Sequence, residues 1–265
     1  MPSPKKILSY PLSIIFLIAF FGCLVIFHPI QWFCLKFFGY QAHKKSVDYL
    51  NFMLMRSLNL LGTTFHFENP YTINRDQPCI IVANHQGPYD IPPIIWYLRK
   101  LHPKFISKKE LGKGIPSISY NLRHGGSALI DRKDKLKSLK TIKTLTETLN
   151  TTHRSVVIFP EGTRSKDGIP QAFSPGGLIT LFTAMPDALV IPLTIHNSWK
   201  LMRWGSYPID LGVKVRHIVH EPILVSSMPV RQLVQKVQEV VLADFPEIHR
   251  RKREPRERPA QKTDS

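Results

Sequence analysis

The first forty residues of the chain are mostly apolar. From Ile7 to Phe27 the run ILSYPLSIIFLIAFFGCLVIF contains no charged residue. It is about 21 residues long, and a helix needs about 20 apolar residues to cross a bilayer. A second apolar run, IQWFCLKFFGY, follows His28 and Pro29. The pattern therefore predicts an N-terminal membrane anchor, which is either one spanning helix or a shallow, half-inserted hairpin that turns after His28 and Pro29.

Beyond residue 40, short apolar runs alternate with longer amphipathic ones. The segment SVDYLNFMLMRSLNLLG predicts a helix that ends at Gly62. Strands are predicted at TTFHFEN, CIIVA, KFIS, SALI, SVVIF, ALVIPLTI and GVKVRHIV. Further helices are predicted at DKLKSLKTIKTLTETLN, PGGLITLFTAM and VRQLVQKVQEVVLADF. This alternation predicts an α/β fold with a mostly parallel sheet flanked by helices.

Three parts follow from this pattern. We assign residues 1–40 to the anchor, residues 41–248 to an α/β domain, and residues 249–265 to a basic tail. The tail has no apolar periodicity, so we expect it to be disordered. It supplies only a small part of the chain's charge of +17, which comes from 36 Lys and Arg against 19 Asp and Glu. Because the remaining positive charge is spread over the folded part, the chain is expected to attract anionic lipid, nucleic acid or an acidic protein.

Several classes of protein are disfavoured by the motifs that the sequence lacks. The three cysteines, Cys23, Cys34 and Cys79, are widely spaced and predict neither a disulfide framework nor a zinc site. The sequence contains no HExxH, no Walker phosphate loop and no GxSxG motif. It also has no nucleic-acid-binding motif, so we expect no nucleic acid partner. We expect no metal site.

Two punctuated loops carry the candidate chemistry. NHQGPYD follows the predicted strand CIIVA, and FPEGTRSKDG follows SVVIF. Loops that leave adjacent strand ends face one another, which brings Glu161, Thr163 and Arg164 towards His85 and Asp90. A histidine–carboxylate pair beside an arginine suits proton removal next to a phosphate, because the carboxylate fixes the imidazole tautomer and the guanidinium grips oxygens.

Each loop also has a purely structural interpretation. Asp90 stands before IPPIIWYLRK, where it could cap a helix, and His85 could be an ordinary loop histidine. Glu161 could pair with Arg164 within a turn. Gly87 and Pro88 supply the chain reversal that would let His85 and Asp90 meet. Capping and support of a histidine are compatible roles for Asp90.

Four blocks of the sequence, in this order and spacing, resemble a known family. NHQGPYD, GGSALIDR, FPEGTRS and VIPLTI are similar to the signature blocks of the glycerolipid acyltransferases, of which bacterial 1-acylglycerol-3-phosphate acyltransferases are typical. The segment SKKEL, residues 107–111, resembles one that such enzymes carry before their second block. The similarity in motifs covers residues 79–195. One departure is visible, because members of the family often have serine where this chain has Gly87.

This resemblance implies transfer of an acyl group from acyl-CoA or acyl-carrier protein to 1-acylglycerol 3-phosphate, which makes phosphatidic acid without a cofactor. It implies that His85 removes the proton from the acceptor hydroxyl and that Asp90 orients and supports the imidazolium. The residues that it assigns to the glycerol phosphate are Glu161, Gly162, Thr163, Arg164 and Arg132. Lys108 and Pro192 are further candidates for contact with the donor or the phosphate.

The four sequence blocks specify the type of reaction better than they specify the acceptor molecule. Lysophosphatidylglycerol, lysocardiolipin or glycerol 3-phosphate could take the place of 1-acylglycerol 3-phosphate. A basic membrane-surface protein without catalytic activity is an alternative of another class. The anchor and the family resemblance predict an inner or cytoplasmic membrane, with the catalytic domain on its cytoplasmic side.

Overall fold

A computed structural model describes residues 3–74, 76–131 and 133–245 of the chain. The strands are β1 Thr64–Glu68, β2 Cys79–Ala83, β3 Lys104–Lys108, β4 Ala128–Ile130, β5 Ser155–Ile158, β6 Leu189–His196, β7 Lys214–Val219 and β8 Ile223–Leu224. The helices are α1 Pro4–Asn59, α2 Ile91–Tyr97, α3 Ile118–His124, α4 Lys135–Thr152, α5 Pro175–Ala184 and α6 Val230–Leu242. The predicted basic tail lies outside the described residues.

The strands form one mostly parallel sheet in the order β1-β7-β6-β2-β5-β3-β4, with β8 paired to β6. The pairs of β6 with β7 and with β8 are antiparallel, and the other pairs are parallel. Pro192 lies within β6, between the residues that pair with β8 and those that pair with β7. A proline is tolerated there because no residue of β7 or β8 pairs with it, so its missing N–H removes no ladder hydrogen bond on that side.

Helices cover both faces of the sheet. Ile80 and Val82 of β2 point into a core shared with α4, α5 and α6. Ile81 and Ala83 point to the opposite core, which contains α2. Successive strand residues point to opposite faces, so a strand that is covered on both sides is apolar at every position. The predicted α/β class is thereby confirmed, and β2 and β5 are buried along their whole length.

The chain reverses within α1, but not where the sequence suggested. The helix continues through Pro29 and is broken at Gly39, whose φ of 76° and ψ of −170° are not helical. Only glycine adopts this backbone conformation without strain. The two arms, residues 4–38 and 40–59, then fold back on each other. The hairpin alternative is therefore wrong about the position of its turn, which lies at Gly39 and not after Pro29.

The first arm is part of the folded domain. Phe16 is fully buried in a cluster with Leu58 and Leu61 of the second arm and its C-terminal extension. Leu24 lies in a cluster with Leu50 and Leu54. The opposite face of the arm stays exposed and apolar. Among the described residues, α1 is the one helix that is long and apolar enough to cross a membrane.

Candidate active site

The loop that follows β2 brings His85 and Asp90 together. His85 Nδ1 lies 2.8 Å from Asp90 Oδ2. The same Oδ2 accepts the backbone N–H groups of Gln86 at 2.7 Å and Gly87 at 2.9 Å. Because Nδ1 faces a carboxylate, the ring holds its proton there and Nε2 is left as the acceptor.

Asp90 stands immediately before α2, but its carboxylate makes no capping hydrogen bond to that helix. It turns back to the loop instead, because a short 3₁₀ turn, Pro88–Asp90, reverses the chain there. Asp90 is fully buried. Burial alone would raise the pKa of Asp90, but the hydrogen bond and the positive charge of His85 lower that pKa below its usual value.

Glu161 connects the loop after β5 to the loop that carries His85. Its Oε1 accepts the backbone N–H of His85 at 2.6 Å, and its Oε2 accepts the backbone N–H of Gln171 at 2.6 Å. The backbone N–H of Ser165 donates to the carbonyl of His85 at 2.9 Å. These bonds fix the backbone of His85 against the second loop.

This position does not suit the predicted contact of Glu161 with a phosphate. The side chain is buried and both of its oxygens already accept a backbone N–H, so neither oxygen is left to meet a phosphate. Burial, with a smaller contribution from the charge of Asp90, raises the pKa of Glu161 to about 8 against the effect of the two N–H donors. Glu161 is therefore placed to position His85.

A cavity of about 490 Å³ opens beside His85. The imidazole stacks on the ring of Phe159, with the ring centroids 4.1 Å apart. Polar groups at this end are Thr163, Arg164, Lys108 and Ser107, and the rest of the wall is mostly apolar. The apolar wall is formed by both arms of α1 together with the 3₁₀ turn Pro88–Asp90, α2, β3 and α3, and it includes Phe20, Leu24, Leu50, Leu54, Tyr89, Ile95 and Leu122.

The other predicted site residues are Gly162, Pro192 and Arg132. Gly162 has a φ of +71°, and a Cβ atom there would meet no atom within 4 Å. Pro192 pairs with Val82 inside the sheet and does not line the cavity, so the predicted donor contact does not fit its position. Arg132 lies outside the described residues.

Asn84 is a buried residue that the sequence argument missed. Its Nδ2 donates to the carbonyl of Ile195 at 2.9 Å, and its Oδ1 accepts the N–H of Ile195 at 2.7 Å. These two bonds join the start of the histidine loop to the end of β6. The sequence did offer a signal for this role, since Asn84 directly follows a fully apolar strand. A buried amide there needs partners on both of its polar atoms.

A family model described as Acyltransferase matches residues 64–196. The chain belongs to the acyltransferase family. The 1-acyl-sn-glycerol-3-phosphate acyltransferase of Helicobacter pylori is 34% identical over 178 residues, which are 64% of this chain and 71% of that relative.

In other relatives, the part that matches this chain is a smaller share of the relative's own length. The chloroplastic 1-acyl-sn-glycerol-3-phosphate acyltransferase of Brassica napus is 36% identical over 149 residues, which are 56% of this chain and 41% of that relative. The crystal structure of the 1-acyl-sn-glycerophosphate (LPA) acyltransferase of Thermotoga maritima matches with a TM-score of 0.76 and 24% identity, over 94% of this chain and 100% of that one. At this identity the match shows a shared fold.

Proposed function

We propose that this acyltransferase moves a fatty acyl group from a thioester donor to the free hydroxyl of 1-acylglycerol 3-phosphate, which makes phosphatidic acid. The observation that carries this proposal is the His85–Asp90 pair at the polar end of a largely apolar cavity, beside Arg164. The names of the relatives support the choice of acceptor. The donor is acyl-CoA or acyl-carrier protein.

The proposed reaction needs only groups that the chain itself supplies. Nε2 of His85 removes the proton from the acceptor hydroxyl while the oxygen attacks the thioester carbonyl carbon. The negative carboxylate of Asp90 stabilises the imidazolium that forms. The tetrahedral intermediate then collapses, the carbon–sulfur bond breaks, and the imidazolium returns its proton to the departing thiolate. No acyl group is attached to the protein, and neither a metal nor a cofactor takes part.

The two ends of the cavity suit the two ends of the substrates. Arg164 and Lys108 are exposed at its polar end. Both groups stay hydrated in the free protein, and a phosphate can reach them there. The apolar wall between the arms of α1 and helices α2 and α3 suits a fatty acyl chain, because burial of each CH₂ group contributes about 0.8 kcal/mol. We therefore place the phosphate near Arg164 and an acyl chain along the arms.

Acyl transfer by the purified protein tests the proposal directly. Release of free thiol from acyl-CoA and from acyl-carrier protein is measured with 1-acylglycerol 3-phosphate, lysophosphatidylglycerol, lysocardiolipin and glycerol 3-phosphate as acceptors. We expect the highest kcat/KM with 1-acylglycerol 3-phosphate. A higher value with another acceptor would reassign the substrate, and no turnover with any of them would contradict the proposed activity.

Arg164→Lys is expected to raise the KM for the acceptor about tenfold, with a smaller change in the KM for the donor. A lysine ammonium cannot reproduce the two-pronged contact of a guanidinium with phosphate, and a charge-assisted hydrogen bond contributes about 1.5–3 kcal/mol. The measurement is initial-rate kinetics with each substrate varied in turn. Arg231→Lys, at an exposed position of α6, is the matched control. An unchanged acceptor KM would remove Arg164 from the phosphate site.

We further propose that α1 lies half-inserted in the membrane and does not span it. Lys5 Nζ lies 3.0 Å from Asp210 Oδ1, and the N–H of Ile209 donates to Ser13 Oγ at 2.8 Å. Farther along, the N–H of Ser117 donates to His28 Nδ1 at 3.0 Å. These contacts hold one face of the first arm on the domain along much of its length. The opposite face, which is apolar, remains for one leaflet of an inner or cytoplasmic membrane, with the catalytic domain on the cytoplasmic side.

The double substitution Ile18→Glu and Ile26→Glu is expected to release most of the protein from membranes while it stays folded. Both side chains are more than half exposed, so the substitutions remove apolar contact with lipid and leave the core intact. Flotation with liposomes and thermal unfolding are the measurements. Leu136→Glu, at an exposed leucine on α4, is the control. Undiminished membrane binding by the double variant would place the anchor elsewhere.

A further inference from the structure

One oxygen of the Asp90 carboxylate is left without a partner. Oδ2 accepts three hydrogen bonds, from His85 and from two backbone N–H groups. Among the described residues Oδ1 accepts none, although the side chain is fully buried. A buried anionic oxygen without a donor is costly, and buried polar atoms in folded proteins nearly always have one.

An unpartnered donor lies in the neighbouring loop. Ser198 begins the 3₁₀ turn Ser198–Met202 that follows β6, and it is 1% exposed. Within the described part of the chain its hydroxyl also has no hydrogen-bond partner. The two bonds of Asn84 to Ile195 join the start of the histidine loop to the end of β6, just before this turn. Ser198 consequently lies against Gly87, and a Cβ atom on Gly87 would be 3.4 Å from Ser198 Oγ.

We propose that Ser198 is a positioning residue for acyl transfer, whose hydroxyl donates a hydrogen bond to Asp90 Oδ1 and so holds the carboxylate against His85. This inference rests on the proposed function of the His85–Asp90 pair. The electrostatics agree with it. Burial raises the pKa of Asp90, and Ser198 is one of the groups that, after His85, lower that pKa.

Gly87 gives the proposal a second part. A Cβ atom at Gly87 would lie beside Ser198 Oγ, so a hydroxyl carried by residue 87 would enter the same region. With a φ of −166° and a ψ of 171°, the backbone at Gly87 is extended, so a serine fits there without strain. We infer that Ser198 supplies, from the other loop, the hydroxyl that a serine at position 87 would bring to the same place.

Ser198→Ala should lower kcat roughly tenfold with little change in the KM for the acceptor, because a hydrogen bond to a charged group is lost inside the site. The acidic limb of the kcat/KM profile, which reports protonation of the His85–Asp90 pair, should move to higher pH. Loss of a donor to Asp90 destabilises the unprotonated, negatively charged pair more than the protonated one. A purely structural loss would lower activity without moving this limb.

Three comparisons complete the experiment. Ser155→Ala removes another buried hydroxyl, which bonds to the carbonyl of Leu101 at the opposite end of the sheet, and should leave the limb in place. Gly87→Ser combined with Ser198→Ala should recover most of the lost kcat and return the limb towards its original pH. Where thermal unfolding shows Ser198→Ala to be unstable, Ser198→Cys keeps the shape with a weak donor and should move the limb in the same direction.

The outcomes that overturn the inference are specific. A folded Ser198→Ala protein with unchanged kcat and an unmoved limb removes Ser198 from the site, as does a Ser198→Cys protein with the original profile. A double variant no more active than Ser198→Ala alone refutes the exchange with Gly87.

Titration of the ring signals of His85 by NMR, in wild type and Ser198→Ala, tests the same contact without turnover. A wild-type protein without activity but with the expected NMR difference would contradict the proposed function and leave the Ser198 contact standing.

Discussion

His85→Ala is expected to reduce turnover roughly 10²–10⁴-fold, the usual contribution of a positioned general base. Asp90→Asn should also lower turnover strongly, because an amide can hold the ring but cannot stabilise the imidazolium. The double variant should be little worse than His85→Ala alone, since groups that act as one unit are not additive. Steady-state kinetics of the three purified variants measure this.

The chain offers a matched control for this experiment. His196 Nε2 lies 3.1 Å from Asp244 Oδ2, so it forms a second histidine–aspartate pair, but neither residue lines the cavity. His196→Ala should leave turnover near the wild-type value. If His85→Ala retains near-normal turnover, or if the losses of the two single variants multiply in the double variant, then His85 and Asp90 are not a catalytic pair.

The sequence predicted the strands around the site well because both faces of the sheet are covered. Cys79–Ala83 and Ser155–Ile158 are buried throughout, so they read as short apolar runs that end abruptly at polar loops. Since these two strands are parallel neighbours, their C-terminal loops meet at one edge. That single relationship brings His85, Glu161 and Arg164 into one region.

The turn of the anchor was misplaced because two helix breakers compete within one apolar stretch. Pro29 removes one N–H donor and was the turn position in the hairpin alternative, yet the helix continues through it. Gly39 supplies the reversal because it alone can take the required backbone conformation. Only the packing of the two arms decides between them, and Phe16 meets Leu58 only when the turn lies near residue 39.

The roles of Glu161 and Ser198 could not be predicted from the sequence for a different reason. The motif places Glu161 in the correct loop, but not the direction of its carboxylate, which faces two backbone N–H groups. Ser198 lies in another loop, far from Asp90 along the chain, and no pattern of residue types connects them. Contacts of this kind depend on the order of β2 and β6 in the sheet, which strand prediction does not give.

Glu161→Ala is expected to lower turnover about 10²-fold, although Glu161 touches no reacting atom. The substitution leaves the buried N–H groups of His85 and Gln171 without acceptors, so the backbone that positions His85 is no longer held, and a catalytic group misplaced by about 1 Å can cost about 10²-fold in rate. Kinetics and thermal unfolding are compared with those of Glu147→Ala, an exposed glutamate on α4. Wild-type turnover by a folded Glu161→Ala protein would show that His85 needs no such support.

The same carboxyl group should make stability depend on pH. Burial raises the pKa of Glu161 from 4.5 to about 8, so the folded protein holds a proton that the unfolded chain releases near pH 4.5. The resulting stabilisation is complete below about pH 4.5 and is lost as pH rises through about 8. Glu161→Gln cannot ionise, so the Tm of the wild type should fall relative to that of Glu161→Gln between pH 6 and pH 9. Parallel Tm curves for the two proteins would mean that Glu161 is already ionised. A protonated Glu161 adds no second negative charge beside His85, which leaves Asp90 to stabilise the imidazolium formed during acyl transfer.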